Sequence, residues 1–194
     1  MNRRCIMSMA VLFLFLGASA GSNWSLAADQ PPPAGAVFPD ITWSAPKTVE
    51  AQDYLGVRGK GSFKISQIPA QLVVLEIFSM YCPYCQREAP QVNELYQLLA
   101  KRQDLKDKIK IIGVGAGNSA YEVQVFQDKY AVPFPLFPDE DFAIHDAVGR
   151  VRTPYFFGIR INPDGSNRII YSKVGTIQDP QQFLELLLKQ ADLK

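Results

Sequence analysis

Residues Val73–Pro90 read VVLEIFSMYCPYCQREAP, and this stretch decides how the rest of the chain is understood. Its first half, extended back to Gln71, is almost continuously apolar and β-branched, the pattern of a strand covered on both faces. Beyond it Val92, Leu95, Tyr96 and Leu99 recur at helical spacing to about Lys101. Cys82 and Cys85 therefore fall where a buried strand gives way to a helix. Residues three apart on a first helical turn share a face, so two sulfurs placed there can close a small ring with little movement. The unpaired N–H groups and positive dipole end of a helix N-terminus also favour thiolate over thiol. Cys82, nearest that end, is the expected attacking thiolate, and Cys85, one turn in, the expected resolving thiol. Pro83 suits an early helical position because it has no N–H to leave unpaired.

Other uses of the pair fit less well. A disulfide across so short a loop constrains the unfolded chain little. A zinc site needs two more ligands, and the chain offers one histidine, His145, and one further cysteine, Cys5, near its start. Redox chemistry is the expectation. Glu76 interrupts the apolar run, where an ionised carboxylate is costly, so its pKa is expected to be raised. A buried acid near Cys85 would accept that thiol's proton when Cys85 attacks a mixed disulfide.

Outward from this stretch, the 194-residue chain fits one domain with accessory segments. A formal net charge of +1 gives no reason to expect a nucleic-acid partner. The N-terminus has Arg3 and Arg4, an apolar run from Ile6 to Leu16, then small residues, the layout of a secretory signal peptide. Residues 1–28 are assigned to that signal, with cleavage after about residue 20–28. Cleavage would remove Cys5 as well as both arginines, leaving 18 basic against 19 acidic residues, formally −1. Residues 29–50, containing DQPPPAGAVFPD, read as a proline-rich spacer, and residues 51–194 as the folded domain.

Within 51–194, YLGVRGKGSFKIS (54–66) predicts a short hairpin with Gly59 and Gly61 near its turn. KIIGVGAG is a second buried strand, and NSAYEVQVFQDKY a helix opened by Asn118 or Ser119. A short helix is expected around Phe142–Val148. PYFFGIRI and RIIYSKVG flank the turn residues of NPDGSN and predict an antiparallel hairpin. Asp179 and Pro180 open a last helix. This order implies an α/β fold with a mixed central sheet flanked by helices on both faces and an N-terminal β-hairpin extension. GVGAGN lacks the spacing of a dinucleotide loop.

FSMYCPYCQREAP resembles the active-site segment of the thioredoxin-like superfamily, and CPYCQREAP is similar to exported TlpA/ResA-type thiol–disulfide oxidoreductases. The likeness covers most of the chain after Ala51. Glu76 stands where thioredoxins carry a buried acid, Pro90 where they carry a helix-kinking proline, and VRTPYFFGI resembles their cis-proline loop, mapping onto Thr153–Pro154. The chain departs from the TlpA/ResA pattern in the Pro83–Tyr84 pair, in Tyr81 where a tryptophan is usual, and in carrying an acid at position 76. The resemblance implies a thioredoxin-like fold and an oxidoreductase of the periplasm that needs no cofactor beyond its own sulfur pair. It implies protein substrates with disulfides or dithiols, a membrane thiol-electron donor, a monomeric state and flow in the reducing direction. It also implies that the backbone beside Pro154 pairs with an extended substrate, with Pro83, Tyr84, Tyr81 and Thr153 in the docking surface. Tyr81 and Tyr84 form either a docking rim or a cover for the core. Two rivals stand beside this function. One is a peroxiredoxin-like thiol peroxidase, since Ser79 lies three before Cys82, although Leu75 occupies that motif's proline position. The other is a copper-binding assembly factor using His145, although its cysteine spacing is one residue short.

Overall fold

Among residues 30–59 and 61–193, which the computed structural model describes, strands and helices alternate. They are β1 (Trp43–Ser44), α1 (Val49–Leu55), β2 (Ser62–Phe63), β3 (Leu72–Phe78), α2 (Pro83–Lys101), β4 (Ile109–Ala116), α3 (Ala120–Tyr130), β5 (Leu136–Asp139), α4 (Ala143–Ala147), β6 (Tyr155–Ile161), β7 (Asn167–Val174) and α5 (Pro180–Gln190). The main sheet runs β5-β4-β3-β6-β7, with β3, β4 and β5 parallel and β6 and β7 antiparallel. Every residue of β3 and β4 is buried, as expected of strands that are apolar apart from Glu76 and Lys110. The assigned signal peptide lies outside the described residues.

Because side chains alternate across a strand, β3 feeds two cores. Val73, Leu75 and Ile77 join Phe38, Trp43, Phe63, Val148 and Phe157 on one face, with Leu55 of α1 and Ile144 of α4 packed there. Leu72, Val74 and Phe78 join Cys85, Val92 and Leu95 of α2, Phe126 of α3, and Phe183 and Leu187 of α5 on the other. The parity of the strand puts Glu76 on the α2 side.

Local chemistry sets the helix starts. Ser119 caps α3 by accepting from the Glu122 N–H while Glu122 accepts from the Ser119 N–H at 2.7 Å, a reciprocal capping box. Asp179 caps α5 by accepting from the Gln182 N–H, with Pro180 at the first helical position.

Two expectations are corrected before residue 70. The N-terminal ribbon exists, but Ser62–Phe63 pairs with Trp43–Ser44 and not with the segment beginning at Tyr54. Thr48 caps a helix through Leu55, and Gly56 ends it with φ 65°, a left-handed cap that favours glycine. A Cβ on Gly56 would also come within 2.4 Å of Pro69. The proline-rich segment read as a spacer is packed structure as well. Gly35 N–H donates to Ile169 O at 2.7 Å and Ile169 N–H to Ala36 O at 2.9 Å, tying the segment to β7. Phe38 and Trp43 are 2% and 1% exposed.

Replacing Trp43 with alanine is therefore expected to cost roughly 3–5 kcal/mol in guanidinium unfolding, the range for deleting a buried aromatic ring. A free spacer would give a change within about 0.5 kcal/mol.

Candidate active site

Cys82 is the N-cap of the 19-residue α2, with extended backbone (φ −83°, ψ 114°). Its Sγ accepts from the Cys85 N–H at 3.4 Å, taking the place that a serine or aspartate oxygen fills in most helices. Pro83 sits at the first helical position. Cys85 is fully buried under β3, whereas Cys82 is half-buried. The loop entering the helix is tied down from the next strand. Asn118, buried just past the end of β4, accepts from the Met80 N–H at 2.8 Å, and the Gln86 side-chain amide donates to Met80 O at 2.8 Å.

The Thr153–Pro154 bond is cis, as the family resemblance implied. Thr153 O lies 3.5 Å from Cys82 Sγ, within reach of the thiol proton. Pro154 is buried and Thr153 half-buried. The loop before β6 is thus brought against the sulfur despite a separation of 71 residues.

The two thiols differ in acidity. Partial burial works against ionisation of Cys82, but hydrogen bonds donated to its sulfur by the Thr153 side chain, by the Cys85 thiol and by the N–H groups of Cys85 and Tyr84 outweigh it, leaving this thiol below its ordinary range. Burial pushes Cys85 well above it, and a proton shared with Cys82 and the nearby Glu76 charge act in the same direction. The pair is asymmetric, with one sulfur poised to ionise and the other held as thiol.

Glu76 is 4% exposed, and its pKa is raised to about 8, first by burial and then by the charges of Glu88 and Cys82. Glu88 is a functional residue that the sequence reading does not identify. It is 2% exposed, accepts from the Ile177 N–H at 2.6 Å, and burial raises its pKa to about 7 despite that hydrogen bond. The available signal was spacing, since residues 85, 88, 89 and 92 form one buried stripe of α2. In the sequence Asn118 marks only a possible helix start, and its clamp on Met80 spans too much sequence for a local pattern to reveal.

Tyr81 and Tyr84 are 66% and 61% exposed, so neither covers the core. The Tyr81 hydroxyl donates to Glu122 at the start of α3, and the Arg87 guanidinium lies 4.7 Å from the centre of the Tyr84 ring. His145 is not free to turn as a ligand, because its Nε2 lies 2.8 Å from Val151 O. Among the described residues no cluster of three or more His, Cys, Asp or Glu side chains is placed to hold a metal ion.

A carboxyl group whose pKa is raised by folding stabilises the fold while it is neutral, fully below its unfolded value near 4.5. That contribution is lost as pH rises through the folded values of about 7 and 8. Thermal unfolding of the reduced protein should therefore show a melting temperature that falls between pH 5 and 9. Glu76→Gln should flatten the decline and melt above the parent at pH 9, and an unchanged profile would contradict the burial of that acid.

The AhpC/TSA family model matches residues 35–178. A thiol–disulfide oxidoreductase ResA of Halalkalibacterium halodurans is 30% identical over 131 residues, 67% of this chain and 70% of that protein. ResA of Geobacillus thermodenitrificans is 26% identical over 188 residues, covering 95% and 96% of the two chains. In three dimensions, the crystal structure of a thiol:disulfide interchange protein DsbE from Chlorobium tepidum matches with a TM-score of 0.61 at 16% identity, over 81% of this chain and 97% of that one. Its low identity speaks to the fold alone, which is thioredoxin-like. With the family model spanning most of the domain and ResA proteins aligned over nearly the full length, this chain belongs to the AhpC/TSA family and is a thioredoxin-like thiol–disulfide oxidoreductase of the ResA type.

Proposed function

We infer that Cys82 and Cys85 are the redox pair, and that the protein reduces disulfides of client proteins in the periplasm. The observation that carries this is the sulfur cap on α2, where Cys82 Sγ receives the Cys85 N–H while Cys85 itself stays buried and protonated. Cys82 thiolate attacks one sulfur of a client disulfide, forming a mixed disulfide and releasing the other client sulfur as a thiolate that takes a proton from water. Cys85 then gives its proton to the Glu76 carboxylate and attacks Cys82 Sγ. The Cys82–Cys85 bond forms, the bond to the client breaks, and the second client thiolate departs. Two electrons leave the protein for the client, and a membrane thiol donor restores the dithiol by the reverse exchange. No soluble cofactor enters this cycle, because both electrons reside on sulfur.

Glu76 suits the acceptor role because its pKa of about 8 lies close to working pH, where a general base is most effective. Glu88, at about 7, ionises before Glu76, and its charge helps to keep the Glu76 pKa high. The exposed main chain at Arg152–Thr153 pairs with an extended client segment, with Pro154 behind it and Tyr81 and Tyr84 at the margin. Residues 1–28 serve as the export signal, and the folded domain acts as a monomer.

Cys85→Ser should accumulate a mixed disulfide to Cys82 when offered oxidised client, visible by non-reducing mass spectrometry, and Cys82→Ser should form none. Glu76→Gln should slow release of client from Cys82 by about 10²-fold in stopped-flow measurements, the scale of a lost general base. A reduction potential close to about −270 mV supports the reducing direction, and one close to about −120 mV would make the protein an oxidant.

A further inference from the structure

Beside Cys82 lies a cleft of about 510 Å³ that the redox chemistry does not use, lined by Tyr81, Gly117, Phe142, His145, Arg152 and Thr153 among others. Thr153, one of its lining residues, is the one whose carbonyl meets Cys82 Sγ at 3.5 Å, so the cleft lies next to the reacting sulfur. Its far wall is Phe142, which begins α4 with φ 60° and ψ 18°, a left-handed conformation that costs a bulky residue energy. The residue is 45% exposed, so its ring is packed on one side only and leaves the other open to solvent.

The surroundings hold that ring in place. A Cβ on Gly117 would come within 2.3 Å of it, so position 117 is kept bare beneath the ring. The buried Asp139 carboxylate accepts from the Ile144 and His145 N–H groups, each at 2.8 Å, fixing the first turn of α4. The His145 ring stacks obliquely at 5.7 Å from Phe142 and is itself held by Val151 O. Tyr81 faces the cleft from the other side, its hydroxyl tethered to Glu122. At the rim Arg152 is exposed and has no hydrogen-bond or ion-pair partner among the described residues.

Two ring walls and a free guanidinium are a receptor for a third aromatic ring, through edge-to-face packing and a cation–π contact. We propose that this cleft is a specificity pocket for the client polypeptide and that it takes an aromatic side chain close in sequence to the cysteine joined to Cys82. Phe142 is the specificity-determining residue. This rests on the redox role of Cys82 inferred above.

The test uses reduced full-length protein and two disulfide peptides that differ only in carrying phenylalanine or alanine beside one cysteine. The parent protein should react about tenfold or more faster with the phenylalanine peptide, the scale expected of a hydrophobic pocket that loses its occupant. Phe142→Gly, which leaves the left-handed backbone at ease, should compress that ratio to within about twofold. Phe142→Tyr, which keeps the ring, should retain most of it. Equal rates for the two peptides in the parent, a preference that survives Phe142→Gly, or faster reaction with glutathione disulfide than with either peptide would overturn the proposal. A parent protein inert toward both peptides and toward glutathione disulfide would instead remove the redox role of Cys82, and this pocket's function with it.

Discussion

A sulfur atom stands where an oxygen normally caps a helix, and the rest of the site depends on it. An N-cap side chain must satisfy one of the four orphan N–H groups of its helix, and Cys82 Sγ does so at 3.4 Å from the Cys85 nitrogen. Sulfur is a weak acceptor as thiol and a strong one as thiolate, so the helix gains from ionisation of its own cap. A partly buried charge at a helix end is worth up to about 2 kcal/mol, and each pKa unit corresponds to about 1.36 kcal/mol. The cap can therefore shift this thiol by an amount that matters for nucleophilicity at neutral pH. Cys85, one turn along, has the opposite environment, closed over by apolar side chains and near the buried acid Glu76. The sequence repeat of two identical residues thus becomes two chemically different groups.

The frame around the pair converts this local effect into a usable site. β3 delivers the loop from below, Asn118 holds it from β4, and the Thr153 loop closes on it from β6. These tethers come from three different strands of one rigid sheet, which is how a functional group is kept in position without its own extensive packing. The cost is visible in Glu76 and Glu88. Burial opposes ionisation of both, and the charge of Glu88 makes Glu76 harder still to ionise.

Much of this was legible in the residues because the decisive signals are short-range. The apolar run of β3, the two cysteines, Pro83 and the capping residues Ser119 and Asp179 each act within a turn or a strand, so pattern and physics coincide. Glu76 was legible for the same reason, as an acid with no polar neighbour along its strand. What escaped depended on distant partners. Gly59 and Gly61 look like a hairpin turn, but Phe63 finds its strand partner in Trp43, across α1. The prolines before Phe38 mask two aromatic anchors that only the sheet's lower core reveals. Glu88 hides among polar residues whose neighbours face solvent, and Phe142 gains its meaning from Gly117 on another strand end.

The acidity of Cys82 is the property on which the account turns, and alkylation reads it directly. Reduced protein treated with iodoacetamide over a range of pH, with modification assigned by peptide mass mapping, should show Cys82 reacting with a midpoint below the ordinary thiol value of about 8.5, while Cys85 stays unmodified. A midpoint at or above that value, or simultaneous modification of both cysteines, would contradict a thiolate held at the start of α2.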